Sequence, residues 1–107
     1  MDNNDEKKPF YLAYILVGAG SAWGQADNEY EALTQCKKQV EDEWSKYLSW
    51  DENDLFDIAV YDLSGVKDRW HVSYNRVVRD SETKEEVPFL HYISVKFKNK
   101  SKKRTKK

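Results

Sequence analysis

The run Phe10–Val17, FYLAYILV, is apolar at every position and rich in aromatic and β-branched side chains, the pattern of a strand with two buried faces. If Phe10, Leu12, Tyr14 and Leu16 face the helix that follows, then Tyr11, Ala13, Ile15 and Val17 occupy the opposite side. Gly18, Gly20 and Gly24 punctuate the next stretch, with Ala22-Trp23 as a short second extended piece between bends. The period then becomes that of a helix. From Asn28 to Leu48, the residues Tyr30, Leu33, Cys36, Val40, Trp44 and Leu48 recur every third or fourth position and form one apolar stripe. Asp27 or Asn28 supplies the cap, and Glu29 and Glu31 suit the positive end of the helix dipole.

Beyond the polar stretch SWDEND the period falls to two. Phe56, Ile58 and Val60 alternate with Asp57, Ala59 and Tyr61, which predicts a strand. After a turn at Ser64-Gly65, Trp70, Val72 and Tyr74 alternate with His71, Ser73 and Asn75 in a strand running to Arg79. The polar loop DSETKEE precedes a last strand, in which Phe89, His91, Ile93, Val95 and Phe97 form the core-facing set and Leu90, Tyr92, Ser94 and Lys96 the other. Pro88 suits the first residue of a strand or an edge. These elements predict a small α+β domain: a four-stranded, mainly antiparallel sheet in the order β-α-β-β-β, with one amphipathic helix packed on one face. The other face is open unless something covers it.

At 107 residues the chain holds one domain at most. The expected divisions are a flexible polar N-terminus (1–8), the domain itself (9–95) and a basic tail (96–107) expected to be disordered. One cysteine, Cys36, excludes an internal disulfide and fits a reducing compartment, so a cytoplasmic protein is expected. The uncharged run from Phe10 to Ala26 follows acidic residues and is short and rich in glycine, so neither an export signal nor a membrane span is expected.

Candidate chemistry is sparse. Gly18, Gly20 and Gly24 lie where a phosphate loop would, but a dinucleotide fingerprint needs glycine at Trp23, and the Gly-Lys-Ser/Thr end of a P-loop is missing. His71 and His91 fall on opposite sides of their strands and cannot share a metal, and a second cysteine is lacking. Glu41-Asp42-Glu43 reads as a solvated helix face. We therefore expect no catalysis, no cofactor and no metal.

The charge distribution adds a functional expectation. Residues 1–95 hold 10 basic and 19 acidic residues, while 96–107, KFKNKSKKRTKK, carry +8. Such an arm can neutralise phosphates and release counterions. The sheet face opposite the helix should show Tyr61, His71, Ser73, Asn75, Arg79, Tyr92 and Lys96, a set able to stack on unpaired bases and to meet their backbone. The expected function is a nucleic-acid-associated accessory or regulatory protein, with single-stranded nucleic acid as a candidate ligand. Its contacts would be Tyr61, Arg79, Tyr92, Lys96, Lys98, Lys100, Lys102, Lys103, Arg104, Lys106 and Lys107. The rival is a protein-binding regulator or inhibitor, homodimeric or not, that uses the apolar first strand and the acidic helix face.

One short stretch has a family likeness. WGQADNEYEAL resembles the strand-to-helix junction of HicB-type antitoxins, matching it at Gly24, Glu31 and Ala32. A likeness of that extent implies a strand running into an amphipathic helix and nothing about activity.

Overall fold

A computed structural model describes residues 9–18, 20–64, 70–73, 76–78 and 85–99 of the chain. Its strands are β1 (Tyr11–Val17), β2 (Gly20–Ala26), β3 (Phe56–Asp62), β4 (His71–Ser73), β5 (Arg76–Val78) and β6 (Phe89–Val95). The helix α1 (Glu29–Glu43) follows β2 and ends in a 3₁₀ turn, Trp44–Lys46. Four strands form an antiparallel sheet in the order β2-β1-β3-β6, and β4 and β5 pair separately with each other. The α+β architecture with a single helix on a four-stranded sheet is thus as the periodicity predicts, but two details of membership differ.

First, Gly20–Ala26 is a full strand, so the described order is β-β-α-β-β-β-β. Val17 pairs with Gly20, leaving two connecting residues, and Gly18 takes φ +57°, a left-handed conformation open to glycine. Gly20 and Gly24 serve packing. A Cβ on Gly24 would overlap Ala32 O, Gln35 Cβ and Cys36 N, and one on Gly20 would strike the Trp44 ring. Without those two side chains α1 lies directly on β2. Second, the segment read as one strand from Trp70 to Arg79 is a small hairpin that lies across the sheet instead of joining it.

The helix begins where its cap predicts: Asn28 Oδ1 accepts the Glu31 N–H at 2.9 Å, with Glu29 and Glu31 in the first turn. Its buried stripe is Ala32, Cys36 and Val40, flanked by Leu33 and Trp44, while Tyr30 is solvent-exposed instead of belonging to the stripe. Beneath the stripe lie Ala13, Ala22, Ala26 and Ile58, with Tyr11, Ile15, Val17 and Phe56 around them. The β1 faces are therefore reversed relative to expectation: Ala13, Ile15 and Val17 meet the helix, and Leu12 and Tyr14 turn away. Both faces of β1 are apolar, so periodicity alone does not choose between them. Size does, because a helix seated on glycine and alanine needs small neighbours, and Ala13 is one.

A second apolar layer covers Leu12 and Tyr14. Leu63, Val77 of β5 and Val87 are buried against them, with Phe10, Tyr61 and Trp70 at the margin. The chain supplies its own cover over Leu12 and Tyr14 on the second side of β1, while Leu16 at the end of the strand stays exposed.

The domain also continues past Val95. Phe97 is buried against Phe56 and Trp50 at ring-centroid distances of 5.5 and 6.2 Å, and its carbonyl accepts the Trp50 Nε1–H at 2.9 Å. Asn99 is fully buried: its N–H donates to Glu52 Oε2 at 2.8 Å and its Nδ2 to Trp50 O at 2.9 Å. The packed domain therefore extends past the expected boundary at Val95 and includes Phe97 and Asn99. Among the described residues no helix is long and apolar enough to cross a membrane.

Candidate binding face

Register places the side chains that face away from α1 in rows across the sheet. Trp23, Tyr14, Ala59 and Tyr92 are successive cross-strand neighbours, and Gln25, Leu12, Tyr61 and Phe89 form the next row. The hairpin and Val87 cover the β1 part of these rows. Trp70 extends that cover towards β2, donating its Nε1–H to Gln25 Oε1 at 2.7 Å and meeting Trp23 edge-on at 5.3 Å. The β6 side stays open, with Tyr92 64% and Phe89 48% exposed.

On this open side three aromatic rings touch in series. Tyr61 and Phe89 are 5.7 Å apart at an interplanar angle of 70°, and Phe89 and Tyr92 are 4.9 Å apart at 57°. Tyr61 anchors the inner end. Burial, then the Tyr92 and Tyr14 phenols and Glu86, push its own phenol above the usual range, so it remains a protonated donor. Beside the strip Ser94 donates its hydroxyl to Asp57 Oδ1 at 2.8 Å, which keeps one carboxylate on this face.

Of the expected site residues, the fold brings Tyr61 and Tyr92 together through Phe89. Simple alternation puts Phe89 in the core set. A register shift opposite Val60 and Tyr61 inserts an extra residue in β6, and this turns Phe89 to the same side as Tyr92. Pro88 just before it is compatible with such an irregularity but does not specify one. His71 lies in the covering hairpin and not on the main sheet. Lys96 and Lys98 are exposed just beyond β6. Arg79, Lys100, Lys102, Lys103, Arg104, Lys106 and Lys107 lie outside the described residues, as do Tyr74 and Asn75.

The described chain ends on the helix side of the sheet. The Lys98 N–H donates to Glu41 Oε2 at 3.0 Å, so together with the Glu52 bond to Asn99 two carboxylates hold the main chain where the basic segment begins. Glu41 is thus engaged, and Asp42 pairs with Lys38 at 2.9 Å, while Glu31 and Glu43 stay exposed.

The other chemical candidates resolve into structural roles. Cys36 is fully buried, its thiol pushed up to about 12 by burial, far from a reactive thiolate at neutral pH. His91 stays on the helix side, 2.8 Å from Glu29 Oε1 at an exposed rim, in place of the buried position expected for it. Among the described residues no three His, Cys, Asp or Glu side chains converge as metal ligands. A pocket of about 220 Å³ beside Val40, Leu48, Trp50 and Phe56 is lined without any charged group to orient a ligand. Among the described residues the aromatic strip is the clearest candidate for recognition. No family model, curated protein or solved structure matches the chain.

Proposed function

We propose that the protein is a non-enzymatic, nucleic-acid-associated accessory or regulatory protein that stacks unpaired bases on Tyr61, Phe89 and Tyr92 and draws its affinity from the basic C-terminal segment. The observation that carries the reading is the exposed aromatic series at the β6 side of the sheet. Base–aromatic stacking contributes about 1–3 kcal/mol per base and tolerates any base, because every base has a π-face. Residues 1–95 have 10 basic residues against 19 acidic, so attraction to phosphate falls to the eight cations from Lys96 onward. Neutralising all eight on a single strand would give a salt slope of about −6, taking roughly −0.7 per phosphate.

The test is binding of short single-stranded and duplex RNA and DNA by fluorescence anisotropy, from about 50 to 200 mM salt. The chain is compared with a version ending at Asn99, which keeps the buried anchor, and with Phe89→Ala/Tyr92→Ala. The expected result is a preference for single strands, a much shallower salt slope without residues 100–107, and at least about tenfold weaker binding for the ring variant. Equal affinity of the ring variant, checked for folding by circular dichroism, removes the stacking role. Loss of all affinity at near-physiological salt removes the nucleic-acid reading.

A second reading, a protein partner seated on the same strip, is favoured by Asp57 on that face and the acidic balance of the domain. It predicts that the ring variant loses its partner while nucleic acid never binds above low salt.

A further inference from the structure

The sheet has two edges, β2 and β6, and only one is closed. At β2 the outward amides of Trp23 and Gln25 donate to Gln39 Oε1 at 2.7 Å and Gln35 Oε1 at 3.0 Å, and Ser21 O accepts the Trp44 Nε1–H at 3.3 Å. Side chains of α1 and of the 3₁₀ turn that follows it thus bond three of the outward main-chain groups of that strand.

The orientation of β6 follows from two bonds. Leu63 N–H donates to Phe10 O at 2.8 Å and Asp62 N–H to Pro88 O at 2.9 Å. Hydrogen-bonding direction alternates along an antiparallel strand, so the even residues of β3 bond towards β6. Their partners His91 and Ile93 use their main-chain groups on β3, and Tyr92 and Ser94 direct theirs outward. Among the described residues nothing bonds those outward groups. From Phe89 to Val95 the strand has no Asp, Glu, Lys or Arg, the residues that normally blunt an edge. Pro88 and the register shift guard only its beginning.

We propose that β6 pairs with β6 of a second copy of this chain, antiparallel about a two-fold axis through Ile93. In that register Tyr92 faces Ser94 of the second copy and Ser94 faces its Tyr92, so the outward groups satisfy one another. His91 comes opposite Val95, and no charge opposes its own kind. Ile93 meets itself on the helix side, next to half-buried Val95 and Phe56. A strand without charges has nothing with which to select a charged peptide, whereas an isologous pairing needs only self-complementarity. The formal charge of −1 per chain adds little repulsion. This pairing does not depend on the nucleic-acid reading; it leaves both aromatic strips on one surface across the axis.

The experiment is sedimentation equilibrium of the full chain over rising concentration, repeated at about 0.5 M salt where exposed charges are screened. Amide hydrogen exchange at Tyr92 and Ser94 is followed in parallel. We expect twice the monomer mass, retained at high salt, with those two amides slowing as the dimer fills. Ser94→Pro removes an outward donor and leaves the β3 ladder intact, and Ser94→Lys places a charge at the edge. Each should weaken association about tenfold or more while circular dichroism stays unchanged. A monomer at every concentration overturns the proposal. So does a dimer whose Tyr92 and Ser94 amides exchange freely, or one that dissolves at high salt, the mark of basic segments resting on acidic domains.

Discussion

Gly24→Ala tests whether α1 is seated on β2 as closely as described. The new Cβ would stand 2.5 Å from Gln35 Cβ and 2.7 Å from Cys36 N, as well as against Ala32 O. Ordinary contacts are near 3.5–4.0 Å, so the helix must move out by about 1 Å. The obstacles are helix backbone and a Cβ, which cannot swing aside. A 1 Å gap forfeits up to about half of the dispersion energy at each affected contact, and the affected contacts are those of Ala32, Cys36 and Val40 over Ala13 and Ala22. Overpacking by one methyl costs about 1–3 kcal/mol, and a rigid obstacle puts this site at the upper end, about 3 kcal/mol. Relief of glycine flexibility returns about 0.5–1 kcal/mol, leaving a net loss of roughly 2 kcal/mol. A domain of this size has about 5–13 kcal/mol in all, and each kilocalorie is worth about 4–8 °C, so Tm should fall by about 8–16 °C. Thermal and urea denaturation followed by circular dichroism measure it. Gly20→Ala is the control, since it meets the movable Trp44 ring and should cost less. If Gly24→Ala unfolds within about 0.5 kcal/mol of the parent, the helix is not seated on Gly24 and the packing argument fails.

Two further outcomes follow from buried groups. A chain ending at Val95 should be less stable than one ending at Asn99 by about 3–5 kcal/mol, the usual cost of losing a buried phenylalanine, because Phe97 and Asn99 go with it; urea titration of both decides, and equal midpoints would show that 96–99 is not docked. The Cys36 thiol has a folded pKa raised to about 12 against 9.0 unperturbed, so the unfolded chain releases its proton first as pH rises. Its contribution is complete below pH 9 and is lost as pH climbs towards 12, at roughly 1.4 kcal/mol per pH unit. Cys36→Ala should lack that part of the alkaline decline, and identical pH profiles would contradict the assignment.

The helix, its Asn28 cap, β3 and β6 were legible because each is strongly periodic or carries a local signal. β2 was not, since Gly20, Ser21, Gly24 and Gln25 are poor strand formers; tertiary packing under α1 overrides their propensity. The faces of β1 were interchanged because both are apolar and only the size of Ala13 distinguishes them. On the open face, alternation brought out Tyr61 and Tyr92, but Phe89 joined them through an inserted residue that no period contains. Alternation put Phe97 in the core set, where it is found, but the lysines around it drew the domain boundary at Val95, and Asn99 carries no periodic signal.

Closing β2 with Gln35, Gln39 and Trp44 has a consequence for assembly. In the terms of polymer chemistry, a sheet with two open edges is a bifunctional monomer and can lengthen without limit. With the β2 edge engaged by its own helix and 3₁₀ turn, the described four-stranded sheet leaves β6 as its open edge and so acts as a monofunctional unit. Growth through β6 uses up the single reactive end of each molecule, so any such association stops at a closed pair and cannot run on into a fibre.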